Sequence, residues 1–140
     1  MIDALLDLGR LLSQDPLTMA QVIARVGPVI HDGGRDGTSE LRPIDPRWRS
    51  ARLANDRDTG APYLLELAPA GELTVAALRA RVGEYQRLSS HEDMPRKVLF
   101  QLPDTGQPYR VALIASLAGG HAIDSAAVIE LGLRRDPRLP

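Results

Sequence analysis

The chain has 140 residues, 44% hydrophobic and 25% charged, with a formal net charge of −1. That length predicts one domain able to bury roughly two-thirds of its unfolded surface, and the balance excludes a disordered chain, which needs low hydrophobicity and high net charge. No run approaches the ~18 apolar residues of a membrane span, the near-zero charge gives no bulk attraction to nucleic acid or an anionic membrane, and zero cysteines exclude disulfides, thiolate metal sites and thiol nucleophiles.

The first fourteen residues, MIDALLDLGRLLSQ, are apolar, but Asp3 and Asp7, a missing basic start and a missing small-residue cleavage site argue against a signal peptide. We expect a cytoplasmic protein, or a mature form whose leader has been removed. Ile2, Leu5, Leu8 and Leu12 recur three or four apart, so residues 2–13 read as an amphipathic helix that Asp15-Pro16 stops. Aromatics make up only 4% of the chain, so the core is built from Leu, Val, Ile and Ala.

An internal repeat organises the rest. Residues 17–27, LTMAQVIARVG, and residues 73–83, LTVAALRARVG, are identical at seven of eleven positions. Both read as short helices. Thr18 and Thr74 are placed to cap the N-terminus, Gln21 completes a capping box after Thr18, and Gly27 and Gly83 sit where a helix ends in the left-handed conformation that only glycine enters cheaply. Met19, Val22, Ile23 and Val26 form one apolar stripe, and Val75, Leu78 and Val82 its counterpart.

Asp58-Thr59-Gly60-Ala61-Pro62-Tyr63 also matches Asp104-Thr105-Gly106-Gln107-Pro108-Tyr109. Each lies between strand-like runs: Trp48 to Ala54 and Tyr63 to Leu67 around the first, Lys97 to Leu102 and Tyr109 to Leu117 around the second. Asp-Thr-Gly there predicts a hairpin turn. The helices are 56 residues apart and the turns 46, so we expect about ten extra residues in the first unit, placed in a long loop at residues 31–46. Short strands are expected at Pro28–His31 and Glu84–Leu88. Ala126 to Arg134 alternates and reads as a final strand, with a short helix as the alternative; Ala127, Ile129, Leu131 and Leu133 would face one way, and Val128, Glu130, Gly132 and Arg134 the other. The expected fold is α+β. An N-terminal helix precedes two tandem helix–β-meander units, about 17–70 and 73–135, in one domain over residues 1–140. They share one antiparallel sheet with helices on one face.

Two Asp-Thr-Gly tripeptides invite an aspartic-protease reading, which needs two carboxylates sharing a proton in a buried loop. The flanks, Asn55-Asp56-Arg57 and Pro103, are polar or solvated, and exposed turns fit them better. His31, His91 and His121 each stand near a carboxylate but lack metal-helix spacing, and Ser125 lacks a nucleophile elbow. The stretch HDGGRDG lacks a P-loop lysine. Arg42, Arg47, Arg49, Arg52 and Arg57 gather around Trp48, a pattern suited to a protein-binding hot spot or to base stacking, or to a core Trp flanked by solvated arginines.

Thr18-x-x-Gln21-Val22 followed by Val26-Gly27-Pro28 resembles the helix signature of small bacterial α/β modules, the small lipoprotein of the outer-membrane barrel-assembly machinery and the tandem β-lactamase inhibitor protein. The second unit keeps Thr74, Leu78, Val82 and Gly83 but has Glu84 at the proline position. The lipoprotein's cysteine and the inhibitor's disulfides have no counterpart here. The resemblance implies a non-catalytic module that binds another protein through its sheet or loops.

The expected function is protein binding, as an inhibitor or immunity-type protein acting on a partner protein. The expected contacts are Trp48, Arg47, Arg49 and Arg52 with loop residues His31, Asp32 and Arg35. No cofactor, metal, nucleic acid or membrane is expected, and the chain is a monomer or a homodimer. The alternatives are a secretion-type chaperone dimer, or a hydrolase using Asp58 and Asp104.

Overall fold

The computed structural model describes residues 1–34, 37–89, 91, 93–120 and 122–138. Both repeat segments form the helices their caps dictate. The first helix of the chain, α1 (Ile2–Leu12), precedes α2 (Met19–Val26), and the second repeat segment forms α3 (Val75–Val82). In α2 the Thr18 hydroxyl accepts the Gln21 N–H at 3.2 Å while the Gln21 side chain accepts the Thr18 N–H at 2.8 Å. In α3 Thr74 accepts the Ala77 N–H at 3.2 Å, with no reciprocal glutamine. Val22 and Val26 on α2, and Val75 and Leu78 on α3, are buried.

After α2 come β1 (Val29–His31), β2 (Thr38–Leu41), β3 (Trp48–Asn55) and β4 (Pro62–Pro69); after α3 come β5 (Tyr85–Leu88), β6 (Lys97–Gln101), β7 (Tyr109–Leu117) and β8 (Val128–Pro137). All eight make one antiparallel sheet in the order β1-β2-β3-β4-β8-β7-β6-β5. A two-fold axis through the sheet between β4 and β8 would generate this order. Each unit is a helix followed by four strands, and β2 is the one strand of the eight not expected from the sequence.

The segment 31–46 is not a bare loop, because it contains β2. Its alternation is hidden by a polar residue on the buried side. Ser39 is fully buried opposite Leu53, and its hydroxyl accepts the Gly33 N–H at 3.1 Å. The extra length also lies elsewhere than expected. The second unit, α3 to β8 over 75–137, is longer than the first, α2 to β4 over 19–69. The two Asp-Thr-Gly sequences are not copies of one turn. The first joins β3 to β4, and the second joins β6 to β7, whose counterpart in the first unit is the β2–β3 connection. Local turn chemistry recurs wherever a strand must reverse. In the first loop Asp56, rather than Asp58, accepts the backbone N–H groups of Asp58 and Thr59 at 2.8 and 3.1 Å. In the second, Asp104 accepts the Gly106 N–H at 2.9 Å. Gly60 and Gly106 have φ of 73° and 77°, which glycine enters without steric cost.

One face of the sheet carries the core. Ser39, Leu53, Leu65, Leu133, Leu113, Phe100 and Tyr85 form a row across seven strands, and Leu41, Ala51, Leu67, Leu131, Ala115 and Val98 form the next. The three helices pack into the same apolar cluster, α1 through Leu5, Leu8, Leu11 and Leu12. In β8 the expected alternation holds for Leu131 and Leu133. A bulge opposite Ser116–Leu117 then turns Val128 inward and leaves Ile129, the extra residue, 44% exposed.

α1 has no counterpart in the repeat. It lies against β7 and β8, and a buried arginine fixes its end. Arg135, 4% exposed, donates to the carbonyls of Leu12 (2.7 Å), Gln14 (2.6 Å) and Pro62 (2.9 Å), with its guanidinium 3.9 Å above the Tyr109 ring. Burial pulls its pKa down from the usual arginine value, but three carbonyls and a π face compensate the charge.

Neither cap glycine takes the expected left-handed helical conformation: φ is positive at both, but ψ is 171° at Gly27 and −165° at Gly83, so each helix passes straight into extended chain, and the two differ in their surroundings. Gly27 has φ 148°, and a Cβ there would lie 1.7 Å from the Arg42 carbonyl oxygen; Gly83 has φ 119° with nothing within 4 Å. Gly83→Ala should therefore cost the backbone penalty alone, about 1–3 kcal/mol, and Gly27→Ala clearly more, as urea unfolding will show. Equal losses would contradict the asymmetry. Arg135→Met leaves three carbonyls without their donor and should destabilise by about 3 kcal/mol or more, read from the same unfolding curves.

Candidate binding surfaces

The expected contact residues fall into separate places. Trp48 stands opposite Pro69 on the helix side of the sheet and is only 6% exposed, so its ring belongs to the core. Its edge closes a cleft of about 260 Å³ between α1, α2 and the β2–β3 connection, lined by Asp3, Asp7, Arg25, Asp45 and Arg47 among others. Arg47 grips Asp45 through its Nε and Nη2 at 2.8–3.1 Å. Both groups titrate accordingly, the Asp45 carboxyl below its usual value and the Arg47 guanidinium above its own, each because of the bond between them. Arg81 ties α3 to Asp3 on α1 and holds that carboxyl below its usual value, and Arg10 pairs with Asp7. The cleft's carboxylates are therefore already neutralised.

Arg49 and Arg52 belong to the other side. Arg49 is the extra residue at a bulge between Trp48 and Ser50, and Arg52 points away from the helices. His31 is exposed on β1 at the sheet edge. Asp32 accepts the Gly34 N–H at 2.8 Å and so shapes its own loop. Arg35 lies outside the described residues, as do Glu92 and His121. The arginine cluster read from the sequence is thus divided by the sheet, because neighbouring strand residues face opposite ways.

The helix-free face is the larger surface. One row across it reads Glu40, Arg52, Glu66, Gly132, Ile114, Leu99 and Gln86; a second reads Thr38, Ala54, Leu64, Arg134, Ala112 and Gln101. Leu64, Leu99 and Ile114 are half-buried there. Gly132 sits at the centre under Leu64, whose Cδ1 would be 3.3 Å from an added Cβ. Beside this patch lies an ion cluster. Arg52 reaches Glu66 at 3.2 Å and Glu130 at 3.6 Å. Burial, followed by a hydrogen bond shared with the Glu130 carboxyl, pushes the Glu66 pKa up, with Arg52 and Lys97 opposing the rise. Glu66 and Glu130 carried no local motif. They are distant in sequence and meet only because β4 pairs with β8.

Asp58 and Asp104 lie in loops at one end of the sheet, separated by three strand spacings, or about 14 Å at ~4.8 Å each. That is too far to share a proton. Asp104 is held by Arg138, with Arg110 at 3.7 Å, and these cations together with the Gly106 N–H bring its pKa down to about 2. Among the described residues no group of three or more His, Asp or Glu side chains is placed to hold a metal ion, and no helix is long and apolar enough to cross a membrane.

A raised folded-state pKa at Glu66 means that the folded chain keeps a proton the unfolded chain releases. The corresponding stability is present below about pH 4.3, the ordinary glutamate value, and is lost as the pH rises through the raised one. Glu66→Gln should thus leave the melting temperature nearly unchanged at pH 4 and raise it at pH 7; a fall at pH 7 would contradict this balance. No family model, curated protein or solved structure matches the chain.

Proposed function

We propose that this chain is a non-catalytic protein-binding module that docks a partner protein on the helix-free face of its sheet, acting as an inhibitor or immunity-type protein. The supporting observation is the one-sided sheet: three helices cover one face, while the other offers half-buried Leu64, Leu99 and Ile114 beside the Arg52–Glu66–Glu130 cluster. Seven strand spacings span roughly 34 Å, and the strands run for about 20 Å. This gives a face on the order of 700 Å², close to the ~800 Å² that each partner contributes to a standard interface. Apolar patches ringed by charge are how such surfaces combine affinity with selectivity. The resemblance of the helix signature to the barrel-assembly lipoprotein and the tandem β-lactamase inhibitor protein implies the same kind of role.

The test is co-purification from the native source, using a variant on each side of the sheet. Ile114→Arg places a charge in the middle of the face. Ala20→Arg places one on an exposed position of α2. With both variants folded, Ile114→Arg should weaken retention of the bound protein tenfold or more, the scale of an interface hot spot, and Ala20→Arg should leave it unchanged. Loss with Ala20→Arg alone would move the surface to the helices.

A further inference from the structure

The helix-free face is not uniform. At its β1–β3 end lies a groove of about 380 Å³ lined by Ile30, Glu40, Leu41, Arg42, Pro43 and Arg49 to Arg52. Three arginines there face one acid. Arg52 is engaged by Glu66 and Glu130. Arg42 and Arg49 are exposed, and among the described residues neither has an ion pair or a side-chain hydrogen bond. Most other charged side chains near the sheet are paired, as Arg47, Arg79, Arg134 and Arg138 are. Ile30, 42% exposed, adds an apolar wall beside the cations.

We propose that this groove binds an acidic extended segment of a partner protein, its carboxylates on Arg42 and Arg49 and an apolar side chain against Ile30 and Pro43. The inference rests on the protein-binding reading and narrows it to a partner of stated charge. The spacing suits such a segment. Arg42, just past β2, follows the Leu41↔Ala51 pair and so lies level with Ser50, one residue along from Arg49 on β3, while Arg52, opposite Glu40, is two residues further on. An extended chain repeats its side chains on one face every two residues, about 6.6 Å. Guanidinium forks bind carboxylates in pairs of parallel bonds. Strand addition is not the holding force, because β1 has three residues and a bulge between Val29 and His31, features that blunt an edge against pairing. Nucleic acid fits less well. Among the described residues the lining offers no aromatic ring on which a base could stack.

The experiment measures fluorescence anisotropy of a labelled decapeptide of alternating Glu and Val, with a Lys-Val decapeptide and a thymidine hexanucleotide as comparators. The Glu-Val peptide should bind and the Lys-Val peptide should not. Arg42→Glu with Arg49→Glu should weaken binding tenfold or more, while Arg25→Glu, on the helix side, leaves it unchanged. Binding should also weaken as salt rises. No binding, equal binding of the Lys-Val peptide, insensitivity to Arg42→Glu with Arg49→Glu, or tighter binding of the oligonucleotide would overturn the proposal. The two readings fail separately. Peptide binding lost while Ile114→Arg still releases the partner removes the groove alone; peptide binding intact while Ile114→Arg keeps the partner removes the wider face.

Discussion

The pairing of β4 with β8 is the constraint on which the rest of the structure depends. Four cross-strand pairs, Leu64 to Leu67 against Arg134 to Leu131, are the strand contacts that join one unit to the other. Four of those side chains, Leu65, Leu67, Leu131 and Leu133, are almost completely buried on the helix side. At about 1.5–3 kcal/mol each, their burial is comparable in gross terms to the whole net stability of a domain of this size. The seam also makes the core rows continuous across both units, from β2 to β5 in one row and from β2 to β6 in the next. It brings Glu66 and Glu130 together on the opposite face, and it sets Arg135 where its three carbonyl bonds can hold the end of α1 and the start of β4.

The helices and most strands were legible because their signals are local. The capped repeat at Thr18 and Thr74, the apolar stripes, and the strand runs at 48–54, 63–67, 97–102 and 109–117 all fold as their patterning predicts. β2 was not legible, because its two inward positions are Ser39 and Leu41, and a buried serine looks like a loop residue until its hydroxyl partner is known. The Asp-Thr-Gly match misled for the opposite reason. Turn chemistry is so constrained that unrelated reversals share it, and equal tripeptides came to stand for equal places in the fold.

The surfaces were less legible than the fold. Sequence proximity grouped five arginines around Trp48, but strand alternation sends Trp48 inward, leaves Arg47 beside the cleft, and puts Arg42, Arg49 and Arg52 at the groove on the far face. The charged pair at the centre of the sheet had no signal at all, since Glu66 and Glu130 stand 64 residues apart. Arg135 was equally silent in a run of basic residues, and only its burial among carbonyls separates it from its neighbour Arg134, which pairs with Asp136.

A sheet shielded on one side and open on the other is the physical basis of the binding account. Because the chain has no cysteine, single-cysteine footprinting tests it directly. The Ser50→Cys and Ser116→Cys variants probe the helix-free face and Ala20→Cys probes α2, each treated with a maleimide alone and with the co-purified partner. The account predicts that all three react in the free chain and that only Ser50→Cys and Ser116→Cys are protected in the complex. Protection of Ala20→Cys, with both sheet positions still reactive, would contradict it.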